Sequence, residues 1–222
     1  MTTDRSGNGV RMSAEDAYEI ARRALGLASA QQWHELSTPL AVEPMPWLER
    51  SFPTGLPIGL FPALLGRFEG NLQRITATLL SVDDTGRTTR PPTGAWSIQE
   101  HAGHLLDLER LGMARLREFE RAESLLSPAD MSNRATNEAG YNAQPVAELI
   151  DHLAAARWEM VERLHRLTRA QIEHAAVHPR LEQPMNVVDW VFFVCEHDDH
   201  HLAHMRALAR AYWRSLAESR QP

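Results

Sequence analysis

The sequence predicts an all-α protein: a four-helix bundle preceded by an N-terminal helix and a proline-rich connector. Three observations predict it. From about residue 60 onward, four long stretches repeat apolar residues at helical spacing, with polar links between them. No stretch alternates apolar and polar residues as a half-buried strand would, and no internal repeat divides the chain. At 222 residues, with 43% hydrophobic and 23% charged side chains, the chain can bury one substantial core.

The elements follow in order. Residues 1–12 are polar and predict disorder. Ser13-Ala-Glu-Asp opens like a capping box, and Ala17, Ile20, Ala21, Ala24 and Leu25 recur at helical spacing, which predicts a helix there. Pro39, Pro44, Pro46, Pro53, Pro57 and Pro62 then forbid a long helix and specify an irregular, extended connector. Its Trp47, Phe52 and Phe61 argue that it lies on a surface. Exposed, these rings would favour a partner surface; folded over the bundle mouth, they would favour a substrate lid. We place the boundary after residue 58: 1–58 is an extension and 59–222 the bundle.

The first bundle helix runs from about Leu60 to Leu80 on Leu64, Leu65, Phe68, Leu72, Ile75 and Leu79, and stops at DDTGRTTRPPTG. The second starts near Trp96 with Ser97 as N-cap and continues to about Leu125. The polar stretch SPADMSNRATNEAGYNAQ leads to the third, Pro145 to Leu167, with Pro145 suited to a first-turn position. The loop RAQIEHAAVHPRLEQP leads to the fourth, from about Met185 to Leu216.

Composition excludes several function classes. The net charge of −6 and the absence of a dense basic cluster argue against nucleic acid. All 23 cations are arginine, so Schiff-base chemistry through a lysine is ruled out. A single cysteine, Cys195, excludes an internal disulfide framework and a cysteine-rich zinc site; in its apolar segment it reads as a small buried residue rather than a nucleophile. The first residues lack the apolar core of a signal peptide and no run approaches a membrane span, so the expected compartment is the cytoplasm, with no membrane partner.

The chemistry concentrates in EHDDHHLAHM, where four histidines and two aspartates occupy residues 197–204. Residues four apart share a helix face, so His197 with His201, or His200 with His204, could offer two neutral imidazoles to one metal ion. At about 100° per residue, His201 lies roughly 50° from the centre of the apolar face and His197 about 90°, against about 110° for His204 and about 150° for His200. His197 and His201 are therefore the better-placed pair, and His200 is expected on the solvated face. Asp198 falls almost at the apolar centre and needs a partner, as an outer support of the site or an inter-helix group. The H-D-x-x-H spacing is one methylene short of a zinc-protease motif and gives that reading little support. A third ligand should come from another helix. WSIQEHAGHLLDLE offers His101 and His104; phase alone slightly favours His101 and leaves the choice open.

These two stretches resemble the DinB-like (YfiT-like) family of metal-dependent enzymes. WSIQEHAGHLLDLE resembles its second-helix signature, and HPRLEQPMNVVDWVFFVCEHDDHHLAHMRAL its final loop and helix. The resemblance covers roughly Leu60 to Trp213 and leaves the first 55 or so residues outside. It implies a four-helix bundle with three histidines on one divalent metal, often zinc or nickel. Position by position it selects His104, His197 and His201 as ligands, makes His101 a packing or rim residue, and puts His204 where relatives often carry glutamine.

The resemblance also implies a function. Three imidazoles with an open position make a catalytic type of site. Some relatives are thiol S-transferases or isomerases that use a low-molecular-weight thiol, which fits a chain without a reactive cysteine of its own. The expectation is a metal-dependent thiol transferase or hydrolase acting on a small molecule, with Asp198, His204, Glu100 and Asp107 as candidate supporting or proton-transfer groups. The competing expectation is a non-catalytic, stress-related metal-binding bundle acting through a protein partner; a third is that the histidines hold no metal. The resemblance also admits a homodimer.

Overall fold

The computed structural model describes residues 42 and 45–219; the helix expected from Ser13 and the start of the connector lie outside the described residues. Among the described residues the elements are α1 (Phe61–Leu79), α2 (Asp84–Thr88), α3 (Ile98–Glu120), α4 (Arg134–Glu138), α5 (Val146–His165), α6 (Arg169–Glu173), β1 (Ala176–His178), β2 (Gln183–Met185) and α7 (Val187–Glu218). The four long helices, α1, α3, α5 and α7, form the expected bundle.

Sequence signals set the helix ends. Ser97 caps α3 through a reciprocal box with Glu100, and Asn186 caps α7 through one with Asp189, each satisfying two otherwise orphaned N–H groups. Pro145 occupies the N-cap of α5, one place before the first-turn position expected for it. Helix α3 ends five residues earlier than its apolar pattern suggests. The chain turns at Ala122, and Leu126 N–H then donates to the Val177 carbonyl at 3.0 Å. The apolar pair Leu125-Leu126 thus continues as an extended segment beside β1, not as helix.

The β1–β2 hairpin is a departure from the expected absence of strands. Each strand has three residues, too few to show a two-residue period in the sequence.

Each long helix buries one stripe. Phe68, Leu116, Phe119, Met160 and Trp190 fill one end of the core; Ile75, Leu79, Ile98, Leu149, Leu202 and Met205 fill the other. The chain passes from the first cluster to the second in α1 and α7, and the reverse way in α3 and α5. Helix α1 packs chiefly on α7 and α3 on α5, while α1–α5 and α3–α7 contacts close the ring. Parallel neighbours therefore pair, and the link from α3 to α5 must travel the length of the bundle. Residues 121–145 make that crossover and carry α4.

Between the two apolar clusters lies a charged layer. The Arg157 guanidinium is 1% exposed. It donates to Glu109 Oε1 (2.7 Å), the Phe68 carbonyl (3.0 Å) and Asp198 (2.9 and 3.3 Å), and Asn71 donates to Asp198 at 3.2 Å. One side chain of α5 thereby touches α1, α3 and α7. A buried cation costs several kcal/mol of desolvation, which only such full pairing offsets.

The described part of the connector is anchored on the bundle. Asp189 accepts from the backbone N–H groups of Gly55 (3.0 Å) and Leu56 (2.8 Å), and Arg50 pairs with Glu196. Phe52 and Phe61 are buried and Trp47 half-buried, so these rings face the bundle.

Candidate metal centre and its cavity

Helix α3 reaches the site within two turns of its Ser97 cap, where every residue from Ile98 to Leu105 is buried. That continuous burial explains why phase could not choose between His101 and His104: both rings point into the molecule. Gly103 makes room for a supporting side chain. A Cβ there would lie 2.2 Å from the Tyr141 ring, so only glycine admits the tyrosine.

The structure brings His104, His197 and His201 together, with one ring nitrogen from each lying within 4.8 Å of the others. His197 Nε2 and His201 Nε2 are 3.1 Å apart. The outward nitrogens of His104 and His201 are held. His104 Nδ1 lies 3.1 Å from Thr136 Oγ1, whose hydroxyl donates to Asp107 Oδ2 at 2.8 Å; Tyr141 donates to Asp107 Oδ1 at 2.7 Å. Because the Thr136 proton goes to the carboxylate, its oxygen accepts from His104 Nδ1–H, which leaves the Nε2 lone pair of His104 free. His201 Nδ1 lies 2.9 Å from His101 Nδ1. With His101 accepting, His201 likewise keeps its Nε2 lone pair. Such outer partners fix tautomer and ring orientation at metal sites.

Electrostatics favours the ligating form. Burial pushes His101 down to about 3 and His104 to about 4, against an ordinary value of 6.5. Burial and then the neighbouring rings hold His201 and His197 well below that value. All four are neutral at pH 7. Three neutral imidazoles with converging nitrogens fit a divalent metal. In a tetrahedral site with bonds of about 2.0–2.1 Å, neighbouring ligand atoms sit roughly 3.3 Å apart, so only small ring adjustments are needed.

The other sequence candidates divide. Asp107 supports His104 as described. Asp198 finds its partner in Arg157, an inter-helix role, and its two oxygens are engaged there and with Asn71. Glu100 is taken up by the Ser97 cap and a bidentate pair with Arg90. His204 is half-buried, its ring stacked on His101 with centroids 5.5 Å apart. His200 is not on a solvated face. It is half-buried beside Trp47, at 5.6 Å, and lines the cavity. The reason is the connector, whose cover over α7 no helical phase can reveal. Cys195 is buried, its thiol pushed up to about 12 by burial, which makes it inert.

Sequence reasoning offered Trp47 as a lid over the bundle mouth and missed the other walls. Trp47 meets His197 edge-on at 4.7 Å, and Trp96 tilts over His104 at 4.7 Å, so two indoles flank the triad. The three histidines open on a cavity of about 560 Å³, walled by Leu105, Leu108, Met160, Trp190 and Phe193 and on one side by crossover residues 128–131. That is an ordinary size for a small-molecule site. Glu109, unmarked in the sequence, also lines it, with Oε2 buried and unpartnered; burial raises its carboxyl above the usual range.

Comparison with known proteins agrees with this fold. No curated protein matches the chain. Among solved structures it is similar to YfiT from Bacillus subtilis, described as a probable metal-dependent hydrolase with an unusual four-helix bundle topology. The match has a TM-score of 0.61 at 18% identity and covers 74% of this chain and 94% of that one; at such identity the likeness is one of fold. The sequence profile of the DinB superfamily matches residues 67–205, which takes in α3 and α5, most of α1 and α7 and all three converging histidines, and the chain belongs to that superfamily.

Proposed function

We propose that the protein is a metal-dependent enzyme acting on a small molecule held in this cavity, as a hydrolase or a thiol S-transferase. One observation carries the reading: three neutral imidazoles, two of them with tautomers set from outside, converge on the wall of an apolar cavity. His104, His197 and His201 would hold the ion, zinc or nickel being suited to nitrogen donors. When bound, it would supply Lewis-acid activation of a water, thiol or carbonyl group.

The chain's own groups do the rest. His101, Thr136 and Asp107 hold the ligand rings, Trp47 and Trp96 exclude bulk water from either side, and the apolar walls take the body of the substrate. Glu109 Oε2 is a candidate acceptor for a proton inside the cavity. His204 packs on His101 and His200, both of which meet His201, and so acts as an outer support. Trp47, Phe52 and Phe61 lie against the bundle, which favours a substrate cavity over a partner surface.

The test is direct. Protein loaded with zinc or nickel is assayed with ester and amide substrates, and with electrophiles in the presence of low-molecular-weight thiols. Turnover that requires the metal and vanishes in His104→Ala is expected. Absence of turnover with either metal in both assays would overturn the reading. Turnover only with added thiol selects transfer over hydrolysis.

A further inference from the structure

The cavity has a second polar region besides the triad. Arg115, His178 and Arg180 all line it. The His178 side chain is 2% exposed. Its Nδ1 accepts weakly from Leu181 N–H at 3.4 Å, so Nε2 carries the proton, and that buried donor has no partner. Arg180 Nη2 is likewise buried without an acceptor. Among the described residues, neither Arg115 nor Arg180 has a carboxylate within ion-pair distance, whereas Arg50, Arg67, Arg74 and Arg157 all do.

The local acids are otherwise engaged. Glu118 accepts from Ser127 N–H and hydroxyl, and Asp130, exposed at the rim, accepts from Ser132 and Arg134. Glu109 belongs to the Arg157 layer. Arg115 spends Nε on the Ser127 carbonyl, at 2.9 Å, and feels Glu118 only through space, since that carboxylate is committed to Ser127. Burial, opposed by Glu118 and reinforced by Arg180, holds Arg115 down to about 10; burial and then the two arginines hold His178 down to about 4. Unpaired donors and crowded like charges in a low-dielectric wall are costly, and an anion relieves both.

We propose that Arg180, His178 and Arg115 form an anion subsite that takes the carboxylate of a substrate whose remaining body is apolar. The inference rests on the cavity being a substrate site, as proposed above, and names the class of molecule. Its placement is chemically sensible. Trp47 touches both regions, with Arg180 Cζ 5.7 Å from its ring and His197 4.7 Å from the same ring, and Phe193 lies 4.9 Å from His178. A carboxylate held by Arg180 thus shares the Trp47 ring with His197 of the triad. The bond to be attacked would lie a few atoms away from the acid group, across an apolar linker.

The experiment uses the full chain stripped of metal by chelation, so that a carboxylate cannot bind through an ion. Calorimetric titration compares 4-phenylbutyrate with its uncharged amide, 4-phenylbutyramide. The acid is expected to bind at least about tenfold more tightly. Arg180→Gln should erase that preference, and Arg180→Lys should keep part of it. Equal binding of acid and amide, no binding of either, or a preference that survives Arg180→Gln overturns the proposal. The unmodified chain decides between acid and amide by itself, should a variant fail to fold. Zinc titration of the same chain separates the readings. Zinc uptake without acid preference removes the subsite alone; acid preference without zinc uptake supports the subsite and removes the metal reading.

Discussion

Two buried polar clusters sit side by side on α7, and they are built on opposite principles. Asp198 belongs to the Arg157 layer, which is charged, and every guanidinium nitrogen there has an acceptor. His197 and His201, its near neighbours in sequence, belong to a neutral cluster in which the outer partners hold only His104 and His201. The first cluster ties four helices and, apart from the one unpartnered oxygen of Glu109, leaves little for a ligand to do. The second leaves ring nitrogens free and faces a cavity. Saturation marks architecture, and arranged incompleteness marks the place where another molecule binds.

Breaking each cluster should therefore fail differently. The largest effect expected is from Arg157→Met, which strands two buried carboxylates and should cost about 3–5 kcal/mol of stability, read by urea unfolding. A loss below about 1 kcal/mol would show that the layer is not what joins the helices. His104→Ala should instead cut zinc affinity roughly 100-fold or more, measured by competition with a chelator, while the metal-free protein unfolds near the wild-type midpoint.

The outer partners sharpen the contrast. Asp107→Asn and His101→Phe keep all three ligands yet should weaken zinc binding about 10–100-fold, because the rings lose their fixed tautomers. Unchanged zinc affinity in both variants would reduce these residues to packing.

Acid should distinguish the clusters further. His101 and His104 ionise at about 3 and about 4 in the folded chain, against 6.5 in an unfolded one. Below pH 6.5 the unfolded chain binds more protons, so their contribution is whole above that value and falls as the pH drops toward 4. Metal-free protein should lose urea resistance between pH 7 and pH 5; a flat profile would contradict the burial of these rings. His200→Ala closes the series. At a half-buried wall position outside the triad, it should shift stability by less than about 1 kcal/mol and leave zinc binding intact.

How much of this could be read from residues alone follows the same division. The four helices were legible because each carries its own apolar stripe, and Ser97 announces the start of α3. The pairing of His197 with His201 was legible because both lie on one helix, where spacing fixes their relation. The charge of Asp198 on an apolar face signalled a buried partner, but nothing in the sequence marks Arg157 as that partner, since the meeting of α5 with α7 is a property of packing. His200 was misplaced for the same reason: the cover comes from Trp47, some 150 residues away. Arg180 and His178 were invisible because a hairpin of three-residue strands brings them to the cavity.

The order of the helices around the bundle has a kinetic consequence. The most extensive pairing, α1 with α7, joins the first long helix to the last, whereas α3 and α5 pair across one crossover. Folding rates fall as contacts become less local, so this chain should fold more slowly than an up-and-down bundle of equal length. The triad draws on α3 and α7, so its nitrogens converge only after that distant closure. Metal capture, followed in time after dilution from urea, would therefore report the last step of assembly rather than the first.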